Sequence, residues 1–309
     1  MVKAPPTPKG FRDFAPTDAK RRRETIAKIE DILQGFGFEP IETPTIEFAD
    51  TLKGKYGEEE KLIYEFEDRG GRKLALRYDL TVPLARYVAT YNPQFPFRRY
   101  QIGQVFRGEN PQKGRFREFT QFDFDSVGST NLEEDALVIT AAVKSLEALG
   151  VKNFKVLIND REVFNQLKEA GYVDNENLIT VLRSLDKINK IGEDGVIAEL
   201  QVKGLSAESA TATIQNAKTL KENDRILKIF RALKEMRVDE NKYIFEPTLA
   251  RGLDYYTSTI FEIQIEGYSG GSVGGGGRYD NLIGSFAKKD IPAVGFSFGL
   301  DRLLDSLYP

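Results

Sequence analysis

The stretch VFRGENPQKGRFREFTQFDFD, residues 105–125, decides the reading of the fold. Its second half alternates. On an extended backbone successive side chains point to opposite faces, so Arg115, Arg117, Phe119, Gln121, Asp123 and Asp125 share one face, and Phe116, Glu118, Thr120, Phe122 and Phe124 the other. The latter face is mainly apolar and suits a core. The former carries two cations, an aromatic ring, an amide and two carboxylates, a set that is unfavourable to bury without a ligand. Residues 97–107 form a second strand-like run, and GENPQKG between the two runs has turn composition. A long antiparallel hairpin is therefore predicted, with Arg107 and Glu109 ending one strand beside the charged face of the other.

Such an Arg-rich hairpin suits phosphate, because guanidinium is planar, permanently charged and donates two parallel hydrogen bonds. Phe119 beside those cations offers a stacking face for a purine. The result would be an ATP site unlike a P-loop: no G-x-x-x-x-G-K-[ST] occurs, and GGSVGGGG lacks the helix start and ribose-binding acid of a dinucleotide fingerprint.

Outward from the hairpin, residues 17–34 carry Ile26, Ile29, Ile32 and Leu33 at helical spacing, with Gly35 as the expected stop. The helix starts with Lys20-Arg21-Arg22-Arg23, which opposes the helix dipole and reads as a solvated face or a partner contact. Residues 38–47 are extended but broken by Pro40 and Pro44, as in an edge strand. A second hairpin is expected over 62–67 and 73–77, then a short helix over 82–91. Thr130 and Glu133 read as the capping box of a helix running to Leu149. Residues 161–239 turn Lys-, Glu-, Asn- and Leu-rich with helical periodicity, the mark of an inserted helical domain. Strand character returns at 243–250 and 258–265, eight glycines cluster in 267–284, and an apolar strand at 293–298 runs into a helix from Leu300. Without βαβ alternation, this order predicts an α+β fold: an antiparallel sheet flanked by helices, formed by 1–160 and 240–309, with 161–239 as the insertion.

Composition narrows the chemistry. The 309 residues include no His, Cys or Trp, so Ser-His-Asp catalysis, thiolate chemistry, disulfides and zinc sites of nitrogen and sulfur are excluded. Carboxylates, Arg, Lys, Tyr, backbone amides and oxygen-bound metals such as Mg²⁺ remain. With a formal charge of −3, bulk coating of nucleic acid is disfavoured, though a local basic patch is not. No apolar run approaches the ~20 residues of a membrane span, and the first residues lack the apolar core of a signal peptide, so a cytoplasmic protein is expected.

The motifs are recognisable together. Residues 105–125 resemble motif 2 of the class II aminoacyl-tRNA synthetases, AVGFSFGLDRLL (293–304) resembles motif 3, and the first helix with FGFEPIETPTIE (36–47) resembles motif 1. LARGLDYYTSTIFE (249–262) and GGSVGGGGRYD (270–280) are similar to signatures of the histidine-specific branch, the histidyl-tRNA synthetases. That resemblance implies the class II sheet, with motif 1 at about 18–47, motif 2 at about 97–125 and motif 3 at about 293–307. It also implies ATP and Mg²⁺, histidine and the acceptor end of tRNA(His) as ligands, and a homodimer formed through motif 1.

By the same resemblance, Arg107 would hold the α-phosphate, Glu109 the adenine or metal side, Arg115 the β- and γ-phosphates, Phe119 the adenine face and Arg302 a further phosphate. Arg251 would bridge the substrate carboxylate and the α-phosphate, making Arg251 and Arg107 the catalytic pair. Asp79, Thr81 and Gln121 would bind the α-amino group. Asp125 and Tyr256 would bind the imidazole, with Tyr255, Tyr279 and the glycine loop walling the pocket. Asp79 also reads as a cap for the helix that follows it. Asp79 and Asp125 stand where many bacterial members carry Glu, and Gly108 leaves the position after Arg107 bare.

The resemblance includes a non-catalytic relative, the regulatory subunit of ATP phosphoribosyltransferase, which lacks the anticodon-binding domain. The chain likewise ends just after motif 3, so a catalytic domain without that C-terminal domain is expected. Because Arg251, Arg107, Arg115 and Arg302 are all present, the synthetase is the expected activity.

Overall fold

The computed structural model describes residues 5–112, 114–252 and 255–308; Lys113 of the hairpin loop, Leu253 and Asp254 of the RGLDYYT run, residues 1–4 and 309 lie outside the described residues. Helix α1 (Pro16–Gly35) starts with proline in its first turn and buries Thr25, Ile29 and Leu33, one face at a spacing of four. Gly35, the expected stop, is the last helical residue; the chain turns at Gly37, whose φ of +79° disfavours a side chain. In the basic start, Arg22 has a partner within the chain: it pairs with Asp301 at 2.9 Å and donates to Thr120 at 2.6 Å.

The Pro-broken segment gives two short strands, β1 (Glu39–Pro40) and β2 (Ile46–Phe48), followed by α2 (Ala49–Leu52). Strands β3 (Glu65–Glu67) and β4 (Lys73–Leu76) form the expected second hairpin, and β4 also pairs antiparallel with β2. Helix α3 (Thr81–Tyr91) leads into the long hairpin, β5 (Phe97–Phe106) and β6 (Glu118–Val127). The second strand starts at Glu118, not Arg115. Gly114 takes a φ of +72°, and Arg115 closes a tight turn by donating its N–H to the Gln112 carbonyl at 2.8 Å. Arg115 and Arg117 therefore precede the alternating face, which comprises Phe119, Gln121, Asp123 and Asp125.

Helix α4 (Leu132–Ala148) is capped by Asn131, whose side chain accepts from Glu133 N; this replaces the capping box expected at Thr130. After β7 (Phe154–Asp160) come α5 (Asn165–Glu169), α6 (Asn175–Leu185), α7 (Ile188–Val202) and α8 (Ala207–Ala217), which share a core of Leu167, Val181, Leu185, Val196, Leu200 and Ile214. Helix α9 (Asp224–Glu235) instead places Ile226, Ile229 and Leu233 in the core under the main sheet.

Strand β8 covers only Tyr243–Phe245, short of the expected 243–250, because Pro247 cannot donate to a ladder; Asn159 Nδ2 instead bonds the Pro247 and Leu249 carbonyls at 3.1 and 3.0 Å. Strands β9 (Thr259–Ile265), β10 (Gly274–Arg278) and β11 (Ala293–Gly299) and helix α10 (Leu300–Leu307) complete the chain. The main sheet has eight strands in the order β1-β5-β6-β11-β10-β9-β7-β8, antiparallel from β5 through β7 and parallel at its two edges. An α+β fold with a largely antiparallel sheet is what the strand order predicts. One face, with Phe122, Phe124, Phe261, Phe296 and Phe298, packs on α1, α4 and α9. The other is the charged one.

The glycine cluster differs from expectation. Gly274–Gly277 is a central strand of the sheet, not a loop, because these glycines pair on both sides with β9 and β11.

Candidate active site

The polar face of the sheet is the floor of a cavity of about 600 Å³. Strand register arranges that floor in rows: Arg99, Asp125, Gly295 and Gly277 in one, and Gln101, Asp123, Ser297 and Gly275 in the next. Glycine makes room for side chains to lie flat across the strands. A Cβ at Gly295 would stand 1.7 Å from Asp125 Oδ1, one at Gly275 2.7 Å from Arg251 Nη1, and one at Gly277 2.8 Å from the Tyr256 ring. The expected glycine wall is thus the floor itself.

At one end three acceptors converge. Asp79 Oδ1 caps α3 by accepting from Val82 N at 3.0 Å and also accepts from the Tyr56 hydroxyl at 3.0 Å, while Oδ2 is buried without a partner. Both readings of Asp79, cap and pocket residue, thus describe its two oxygens. Gln121 donates Nε2 to Ser297 Oγ at 2.8 Å and leaves Oε1 buried and unpartnered, and Asp123 Oδ1 is in the same state. Thr81 hydrogen-bonds Tyr255, whose ring contacts those of Tyr256 and Tyr279 at 4.9 and 6.0 Å. Tyr279 donates to Asp125 Oδ1 at 2.5 Å, and Arg99 Nη2 lies 2.7 Å from Asp125 Oδ2 as an ion pair without an aligned N–H. Burial raises the pKa of Asp79 and Asp125, with Arg99 opposing the rise at Asp125. Buried acceptors left open in this way call for a ligand bearing several N–H groups.

At the other end cations gather. Arg107 stacks between Tyr78 and Phe119, 4.3 and 5.0 Å from their ring centroids, and donates Nε to the Tyr78 carbonyl at 3.2 Å. Arg115 pairs with Glu109 at 3.2 Å. Arg302, in the first turn of α10, donates to the Gly114 and Ser272 carbonyls at 3.0 and 3.2 Å. Burial lowers the Arg302 pKa, and the like charges of Arg115 and Arg107 lower it further, as in a site built to receive an anion. Between the two ends, Arg251 pairs with Glu262 at 3.1 Å. Burial pulls its pKa down, but Tyr256, Glu262 and Asp186 outweigh that and keep the guanidinium firmly charged.

All thirteen residues expected at the site line this one cavity. Of the further lining residues, Phe116, Ser297 and Asp186 bear on the site, and a fourth unforeseen residue, Arg99, supports it from below without lining it. Phe116, assigned by alternation to the core face, lies before the strand begins and lines the cavity, with Arg12 stacked on its ring. Ser297 orients Gln121, and Asp186 of the α6–α7 junction approaches Arg251. Arg99 lies fully buried beneath Asp125; the alternation of Arg99, Gln101 and Gly103 along 97–107 is the signal that would have found it. Among the described residues, no cluster of three or more His, Cys, Asp or Glu could hold a metal ion, and no helix is long and apolar enough to cross a membrane.

The cavity thus has an acceptor end for an amino group and a cation end for phosphates, and comparison with known proteins points the same way. The histidine–tRNA ligase of Aeropyrum pernix is 42% identical over 325 aligned positions, covering 98% of this chain and 74% of that protein. That of Nanoarchaeum equitans is 44% identical over 303 positions, covering 96% and 73%. The crystal structure of histidyl-tRNA synthetase from Nostoc sp. superposes with a TM-score of 0.84 at 29% identity, covering 99% of this chain and 76% of that one. With the sequence model of the histidyl-tRNA synthetases matching residues 10–303, nearly the whole chain and every element of the cavity, this protein belongs to the histidyl-tRNA synthetase family.

Proposed function

We propose that the chain activates histidine with ATP and transfers it to tRNA(His) as a histidine–tRNA ligase. The observation that carries this reading is the polarity of one cavity: buried open acceptors at Asp79, Gln121 and Asp123, and the mutually repelling Arg107, Arg115 and Arg302 opposite. A zwitterionic amino acid placed with its ammonium group at Asp79 and Gln121 points its carboxylate toward Arg251 and the phosphates.

In the first step a histidine carboxylate oxygen attacks the α-phosphorus, the bond to the β-phosphate oxygen breaks, and histidyl-adenylate and pyrophosphate result. The nucleophile is already an anion, so no side-chain base is needed. Arg107 and Arg251 would align the reactants and neutralise charge growing on the α-phosphate, Arg115 and Arg302 would take the outgoing phosphates, and Phe119 would stack on adenine. Thr81 joins Asp79 and Gln121 around the ammonium group, while Asp125, Tyr256 and Tyr279 form the imidazole end, with Tyr255 packed against them. In the second step the terminal ribose hydroxyl of tRNA attacks the carbonyl carbon and AMP leaves.

Glu109 and Glu59 line the cavity beside the arginines, a donor set that suits Mg²⁺ taking most of its ligands from phosphate and water. Bound there, it would add to the neutralisation of phosphate charge. We place the protein in the cytoplasm and infer a homodimer through residues 18–47, where β1 is an edge strand and Ile46 and Phe48 are exposed. Residues 161–239 act in this reading as an insertion beside the catalytic domain. A structure from Bacillus halodurans, titled both ATP phosphoribosyltransferase regulatory subunit and histidyl-tRNA synthetase, shares the fold at a TM-score of 0.83 and 24% identity. The full arginine set favours the ligase over a regulatory subunit.

Histidine-dependent exchange of labelled pyrophosphate into ATP tests the proposal. Exchange with histidine and none with the other amino acids is expected; folded protein without exchange would overturn it.

A further inference from the structure

On the floor of the cavity, Asp123 lies between the two ends assigned to the substrate. Gln121 is one row away on the amino side and Asp125 one row away on the imidazole side. One Asp123 oxygen is held by Ser297; the residue lines the cavity, and its Oδ1 is buried with no partner. The ammonium group offers three N–H bonds, and Asp79 Oδ2, Gln121 Oε1 and the Thr81 hydroxyl match that number. The open oxygen of Asp123 is left over. Side chains two apart on a strand stand roughly 7 Å apart, and an imidazole ring with a hydrogen bond at each nitrogen spans about the same distance.

We propose that Asp123 is a further residue reading the imidazole ring, joining Asp125 and Tyr256 around the two ring nitrogens and sharing one exchangeable proton with the ring. This rests on histidine being the amino acid bound. Asp125 is the ionised partner, because Arg99 pairs with it directly and Tyr279 donates to its other oxygen. Arg99 is a positioning residue: it is fully buried and reaches the substrate only through these carboxylates.

The groups facing Asp123 are Arg99 from β5, Asp125 beside it, Ser297 from β11, Arg77 and Asp79 from the segment before α3, and Tyr256 above. The Arg77 guanidinium is engaged by the Gln104 and Thr43 carbonyls at 2.7 and 2.8 Å. Burial, with Asp125 adding to it and Arg99 opposing it, pushes Asp123 up to about 7 in the empty cavity. Of the two floor carboxylates, Asp123 is the one able to exchange a proton near neutrality. The shared proton lies either on Asp123, donating to a bare ring nitrogen, or on that nitrogen, donating to the carboxylate. The count is the same in both cases: at pH 8 the empty site and the free ring are mostly unprotonated, and the complex holds one proton more.

Calorimetry of histidine binding at pH 8, in buffers of different ionisation enthalpy, reads this count. Wild-type protein is expected to take up about one proton per histidine, and Asp123→Asn close to none, since any contribution from the α-amino group is common to both. The histidine KM of Asp123→Asn should rise roughly 10- to 100-fold while that for ATP stays unchanged. Wild-type uptake near zero, or equal uptake in the two proteins, would overturn the proposal. If the variant fails to fold, the wild-type value decides alone. Absence of both histidine binding and pyrophosphate exchange would instead overturn the assignment of histidine as substrate, whereas exchange without proton uptake would overturn only the role of Asp123.

Discussion

Gly295→Ala is a one-carbon test of how the floor is built. The new methyl would stand 1.7 Å from Asp125 Oδ1 and 2.4 Å from its Cγ, and every close neighbour belongs to that one side chain. The carboxylate must swing away, because β6 and β11 are held by pairing along their whole length. Swinging breaks the bond from Tyr279 and the ion pair with Arg99, both inside the protein. Loss of one charge-assisted hydrogen bond costs about 1.5–3 kcal/mol, and leaving a buried charge unpaired costs about 3–5 kcal/mol. Those two costs fall on the free and the bound protein alike; histidine binding itself loses the carboxylate's charge-assisted hydrogen bond to the ring, about 1.5–3 kcal/mol, or roughly one to two decades in KM. Pyrophosphate exchange at varied histidine should show that rise with the ATP KM within about twofold, and circular dichroism should be unchanged. Gly276→Ala is the contrast. Its Cβ would lie 2.0 Å from the Gly295 carbonyl oxygen, a backbone atom that cannot rotate away, so it should unfold the sheet rather than change one KM. A Gly295→Ala protein with wild-type histidine KM would refute the reasoning.

Arg251→Ala should lower exchange by roughly 10²–10³ with the fold intact, since it removes a charge placed between carboxylate and phosphate; an unaffected rate would contradict that placement. Arg302→Ala should raise the ATP KM about 10-fold or more without moving that for histidine, because its guanidinium sits with Arg107 and Arg115 away from the open acceptors; a histidine-selective effect would be wrong for that position. Stability should depend on pH through Asp123. Its folded pKa of about 7 exceeds its ordinary 3.8, so the fold binds the extra proton between those values, and stability falls as pH rises from about 4 to 7. Denaturant melts should therefore show Asp123→Asn gaining on wild type by roughly 1–4 kcal/mol between pH 4 and pH 8, and a pH-independent difference would count against it.

The site was more legible than its floor. Alternation along β6 placed Phe119, Gln121, Asp123 and Asp125 together because a two-residue period needs nothing but the strand itself. It failed at Phe116, where Gly114 and the Gln112–Arg115 turn delay the strand by three residues. The strand at Gly274–Arg278 was hidden for a different reason. Glycine is poorly suited to strands in isolation, and here it is required by Asp125, Arg251 and Tyr256, which arrive from distant parts of the chain. Arg99 likewise acquires meaning only from the hairpin register that sets it opposite Asp125. At the α4 start, Asn131 took the cap from Thr130 one residue earlier, a shift within the usual ambiguity of helix ends.

The most direct test of the account is to isolate its intermediate. Protein incubated with labelled histidine, ATP, Mg²⁺ and pyrophosphatase, then passed through a desalting column, should retain about one histidyl-adenylate per active cavity, released as labelled histidine on treatment with base. Label that fails to co-elute, or that co-elutes equally without ATP, would contradict the claim that this cavity joins histidine to a nucleotide.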